Sequence, residues 1–226
     1  QCLRCAGDPS TDTPAAPDKA RTVPCRECEG QLRPVDGVDD FVWYCTSPSC
    51  PLSGSRGLTS AELHEHLGMN ELEVAAQIAS DFADGSLQEI ADLDDRIASL
   101  QTLGPRHWVI RTLQWHRLKI FLKTPGALPD GACSIALAGL RAAAEDGGIG
   151  AVVQVGWEGV CLAVAIRSCR DGDFDSAKLL SDACSPIVHL VYPVGSNIRS
   201  MADRLSKACH GRDASLLIAA AEGMEK

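Results

Sequence analysis

The chain has 226 residues, is 45% hydrophobic and 23% charged, and carries a net charge of −9. A chain of this balance and length folds, burying roughly 70% of its unfolded surface without help from disulfides. The net acidity argues against a generic polyanion binder, and no apolar run reaches the roughly 18 residues of a transmembrane helix.

Aromatics make up only 4% of the residues, so the expected core is aliphatic. Residues 1–24 lack the basic segment and apolar stretch of a signal peptide, and Gln1 leaves room for an upstream segment. Residues 6–24 are rich in Pro, Ala, Asp and Thr and read as a linker. Residues 1–24 as a whole are therefore a linker or part of an upstream module. They include Cys2-x2-Cys5, which reads by default as a free pair. The alternative is half of a second metal site, completed by upstream residues or by His64 and His66.

Residues 25–56 contain Cys25-x2-Cys28-x16-Cys45-x4-Cys50. Two short loops each offering two thiolates can close a tetrahedron around Zn²⁺, with sulfur about 2.3 Å from the metal. Tandem disulfides are the competing reading. Gln31–Val35 and Phe41–Tyr44 read as two strands joined through Asp36-Gly37, so the segment is expected to be a zinc ribbon. So short a ribbon has too little apolar area to fold alone, and the metal would supply on the order of 10 kcal/mol. The string PCRECEGQL…VWYCTSPSCP resembles the four-cysteine zinc ribbons of NAD-dependent DNA ligases and type IA topoisomerases over residues 24–51. It departs from that pattern at Glu29, where glycine usually follows the second cysteine. The resemblance implies a structural zinc module of a kind carried by nucleic-acid enzymes. No ligase or topoisomerase catalytic motif accompanies it.

Residues 57–104 read as an acidic helical segment. Between 57 and 95 there are 10 Asp/Glu and no Lys or Arg. Thr59 or Ser60 caps a first helix that Gly68 stops, and Asn70 caps a second with Leu72, Val74, Ala75, Ile78 and Phe82 on one face. Ser86, with Glu89 as its capping-box partner, starts a third whose stripe is Leu87, Ile90, Leu93, Ile97, Leu100 and Leu103. The first two helices resemble a helix-turn-helix, but the second has no base with which to meet phosphates, so a packing unit is the better reading.

Residues 105–226 read as an αβ domain. Residues 96–129 carry 6 Lys/Arg and no acid. Arg106, Arg111, Arg117, Lys119 and Lys123, interleaved with Trp108 and Trp115, either neutralise the acidic helices beside them or bind single-stranded nucleic acid. Leu118, Ile120 and Leu122 alternate with bases as in a strand, and residues 133–146 are helical. Ala151–Trp157 and Val160–Arg167 read as a hairpin, with both faces of the second strand covered by further elements or a second subunit. A helix capped by Asp173 or Asp175, a strand Ile187–Val194 and a helix Ser196–Gly211 follow. The order β-α-β-β-α-β predicts a ferredoxin-like fold, making the chain α+β. Arg199, Arg204, Lys207 and Arg212 form a second, weaker basic cluster, and Asp171, Asp173 and Asp175 lack the glycine and glutamate of a calcium loop.

Eleven cysteines, odd in number and partly in close pairs, fit a reducing compartment, so the expected location is cytoplasmic. No nucleophile motif or phosphate loop is present. The functional expectation is a non-catalytic zinc-ribbon protein associated with DNA or RNA. The alternatives are an adaptor whose acidic helices dock a basic protein, as monomer or homodimer, and an enzyme with an unrecognised site in the αβ domain.

Overall fold

The computed structural model describes residues 21–36, 41–54 and 56–218, and it divides into two compact units, one reaching Leu113 and the other starting at Gln114. Cys2 and Cys5 lie outside the described residues.

In the first unit four short strands form one antiparallel sheet in chain order: β1 (Val23–Pro24), β2 (Gln31–Asp36), β3 (Phe41–Cys45) and β4 (Leu58–Thr59). Strands β2 and β3 pair from Leu32 opposite Cys45 to Asp36 opposite Phe41. The two-residue period of β3 turns Trp43 and Cys45 inward, where Trp43 joins Val23 and Leu32 in full burial. Beside this small apolar nucleus sit the cysteine loops.

Helix α1 (Ser60–Leu67) starts at a capping box: the Glu62 amide donates to Thr59 Oγ1 at 3.2 Å, and the Thr59 amide donates to Glu62 Oε2 at 2.8 Å. Helix α2 (Glu71–Ala83) is capped by the Asn70 side chain. Its inward positions are Glu71, Ile78 and Asp81 with Val74 half-buried, whereas Leu72 is 66% exposed. The helix is thus rotated from the apolar face expected. Its two inward acids are held by bases: Glu71 by Arg21, and Asp81 by Arg96 together with Gln77. Helix α3 (Ile90–Ser99) and a 3₁₀ turn (Gln101–Leu103) bury Leu87, Leu93, Leu100 and Leu103. Glu89 is the N-cap of α3 without a side-chain bond, and Ser86 instead donates to Asp84, so the expected capping box does not form.

Helix α4 (Trp108–Lys123) starts in the first unit and ends in the second. The second unit continues with α5 (Ala132–Val155), α6 (Trp157–Arg170), α7 (Phe174–Val191), α8 (Asn197–Gly211) and the short α9 (Ser215–Ile218). Helix α6 packs against α5, α7 and α8. Helix α5 is broken at Gly147 and Gly148, and α5 and α6 are bent by 73° to each other. Among the described residues no single helix is long and apolar enough to cross a membrane.

Among the described residues the expected ferredoxin-like αβ domain is replaced by helices. Each segment expected to be a strand there falls wholly or mostly within a helix. In α4 the apparent alternation of Leu118, Ile120 and Leu122 hides a longer period: Arg111, Trp115, Leu118 and Leu122 are spaced by 4, 3 and 4, with Leu118 fully buried. Val160–Ile166 is apolar nearly throughout because α6 is enclosed on several sides, as a central helix is. Helix α7 runs on through Pro186 to Val191, where a strand was expected.

Candidate metal centre

Two tight loops bring the four cysteines together. In the first, the Cys25 amide donates to the Gly30 carbonyl at 3.0 Å, and the Gly30 amide donates to Cys28 Sγ at 3.2 Å. In the second, the Cys50 amide donates to the Ser47 carbonyl at 3.1 Å, and the Ser47 amide points to Cys45 Sγ at 3.4 Å. The β2–β3 pairing places the first loop beside the second. All four sulfurs lie within 4.8 Å of one another, and among the described residues this is the one such ligand cluster.

The donor set fits a tetrahedral ion. A sulfur shell of radius about 2.3 Å has edges of about 3.8 Å. Cys25 and Cys50 are 3.8 Å apart, and Cys28 and Cys45 are 3.4 Å apart. Gly30 is set by close approach: a Cβ there would stand 2.8 Å from Cys45 Sγ and 3.1 Å from Cys28 Sγ. Burial pushes the Cys45 thiol up to about 12 and raises Cys25, while the Gly30 amide lowers Cys28. Four thiolates leave a tetrahedral ion no open position, so such a site stabilises the fold and performs no chemistry. All the described cysteines are free thiols, so the tandem-disulfide reading is not realised among them.

A second polar cluster in the first unit escaped the sequence reading. Arg21 clamps Glu71 with Nε at 3.0 Å and a terminal nitrogen at 2.9 Å. The Trp108 indole donates to the same carboxylate at 3.2 Å, and His107 Nε2 stands 3.1 Å from it. Burial by itself would raise Glu71, but His107 and Arg21 outweigh it and bring the carboxyl down to about 2. The Arg21 guanidinium also lies over the rings of Phe41 and Trp43, 4.8 and 5.0 Å from their centroids. His107 is fully buried, so this cluster joins β3, α2 and the start of α4 rather than meeting a substrate. No local sequence signal marks this cluster, because its partners lie far along the chain from Glu71.

The residues expected to contact nucleic acid differ in their surroundings. Arg106 is exposed and precedes α4, whereas Arg111 is only 7% exposed. Arg117 lies over the Phe121 ring at 5.1 Å, and Lys119 over the Trp115 ring at 4.1 Å. Lys123 is exposed at the end of the helix. His66 Nε2 is 3.3 Å from the Pro24 carbonyl, and His64 is exposed. No protein-family model matches the chain, and no curated protein matches it by sequence.

Proposed function

We propose that the four-cysteine site holds zinc and that the chain is a non-catalytic docking protein whose acidic helices α1–α3 bind a positively charged protein partner. The observation that carries this reading is the exposed acidity of the first unit. Glu62, Glu65, Glu73, Glu89, Asp92 and Asp95 are exposed on or beside α1–α3, whose one Lys or Arg is Arg96, held by Asp81. A surface of one sign steers and selects a partner of the other. The closed thiolate set supports a supporting rather than a chemical role for the metal. The likeness of the ribbon to those of DNA ligases and topoisomerases supports nucleic acid as the second reading, and burial of Arg111 weighs against it.

Metal analysis of protein purified under reducing conditions tests the first half, with about one zinc per chain expected. Titration with a polylysine peptide and with single- and double-stranded DNA and RNA tests the second. Binding of the peptide at low salt, weakening as salt screens it, is expected, with no binding of the polyanions. Tight, salt-dependent binding of nucleic acid would reverse the choice.

A further inference from the structure

The first unit contains a cleft of about 470 Å³. Its walls include Phe41 of β3, Leu63 and Leu67 of α1, Met69 between α1 and α2, and Leu72 on α2. Leu72 is 66% exposed, so a large apolar side chain stands at this wall mostly in solvent. The polar lining leaves little charge to satisfy, because Arg21 is matched by Glu71 and Asn70 caps α2. The cleft therefore suits an uncharged, apolar occupant.

Arg21 is both a wall of this cleft and the first of the described residues. Its guanidinium is pinned twice, by the two-pronged bond to Glu71 and by the rings of Phe41 and Trp43. The chain that precedes it therefore leaves from the cleft wall, with the Cα of Ala20 about 3.8 Å from that of Arg21. Upstream the sequence reads Pro14-Ala15-Ala16-Pro17-Asp18-Lys19-Ala20. At about 3.3 Å per residue, Pro17 has a reach of roughly 13 Å from Arg21 and Pro14 roughly 23 Å, against a cleft roughly 8 Å across. Two prolines three apart favour polyproline II, whose three-residue turn sets both rings on one side. Such a segment docks in apolar grooves with aromatic walls, is already ordered before it binds, and its proline rings ask for no hydrogen bond.

We propose that the cleft is the docking site of this chain's own residues 14–17, with a proline ring set against Phe41 and Leu72. The tether through Arg21 gives the segment an effective concentration in the range of about 1 mM, so a contact too weak to hold a separate peptide firmly keeps the cleft covered in cis. This contact is independent of the acidic docking surface proposed above.

The test uses the full, metal-loaded chain with ¹³C-labelled leucine methyls, the Leu72 signals being assigned by Leu72→Met. The double variant Pro14→Ser, Pro17→Ser alters none of the described residues. In the wild type the Leu72 methyls should show cross-relaxation with proline ring protons. In the double variant that cross-relaxation should vanish and the Leu72 signals should shift. A synthetic peptide of residues 11–20 should then bind the double variant about 3-fold or more tightly than the wild type, whose own segment competes for the cleft. Unmoved Leu72 signals with equal peptide affinities would overturn the proposal. Failure of the peptide to bind either chain at millimolar concentration would overturn it as well, because the cleft would then have no affinity for the segment.

Discussion

Residues 21–113 hold 7 Lys/Arg against 15 Asp/Glu, whereas residues 114–218 hold 11 against 10. The same division separates two ways of keeping a chain folded. The first unit gathers its sheet around a few fully buried side chains, a cysteine cluster and paired buried acids. The second has a continuous aliphatic core, with Leu118, Val152, Val164, Leu180 and Leu205 among its least exposed members. A sheet of four short strands cannot repay its chain entropy by burial alone, and five helices around a common core can. Small apolar area therefore goes with a cysteine cluster and ion pairs on buried acids, whereas the ion pairs of the second unit, such as Lys178–Asp182 and Arg212–Asp175, lie on its surface.

The largest expected effect separates the two units outright. Cys45→Ser, or a strong chelator, should remove metal-linked stabilisation on the order of 10 kcal/mol from the ribbon. Hydrogen exchange followed segment by segment should show Gln31–Cys45 losing protection while α6 and α7 keep theirs. Protection retained in the strands would mean that burial suffices there after all.

Acid sharpens the contrast. Glu71 falls from the ordinary 4.5 to about 2 in the folded state, so its stabilisation is complete above about 4.5 and is lost as pH falls toward 2. A shift of that size corresponds to about 3 kcal/mol. Glu71→Gln should cost a similar amount at neutral pH, because it leaves the half-buried Arg21 charge without its carboxylate. The difference between wild type and Glu71→Gln in unfolding free energy should shrink across that pH window. A difference constant from pH 5 to 2 would remove Glu71 from the account.

The second unit should respond to shape instead. A Cβ at Gly139 in α5 would stand 2.2 Å from the Trp157 ring of α6. Gly139→Ala should destabilise this unit by about 1–3 kcal/mol, read as a lower urea midpoint from helix-specific signals, with metal content unchanged. The smallest effect has the opposite sign. A Cβ at Gly159 in α6 meets nothing within 4 Å, so Gly159→Ala should stabilise by about 0.5–1 kcal/mol. Destabilisation there would show that α6 is packed more tightly than its contacts indicate.

Local chemistry was legible in the chain. Thr59, Asn70 and Asp173 cap the helices that follow them, Gly68 ends α1, and four cysteines converge as their spacing required. Each of these signals is complete within a few residues, or within one short hairpin. The second unit misled for the same reason in reverse. Ala, Val, Ile and Cys fill both the interior of a sheet and the interior of a helical bundle, and a short apolar run such as Val160–Ile166 lacks the polar residues that would reveal its period. The phase of α2 was illegible because Arg21 and His107, 50 and 36 residues away from Glu71, decide which side turns inward.

Pro24 immediately precedes the first cysteine loop, and β1 packs against the 3₁₀ turn Gln101–Leu103. A Cβ on Gly104 would meet the Pro24 ring at 2.8 Å, and the Pro24 carbonyl faces His66. The cysteine loops are thus not a detachable bead. A fragment cut at residues 25–56 would keep every thiol and lose β1, β4 and the turn that backs them. Grafted onto another protein, those 32 residues should hold metal less firmly than they do here, and the portable piece is the whole stretch from Arg21 to Leu113. Among relatives, substitutions at positions 24 and 104 should then be found together rather than singly.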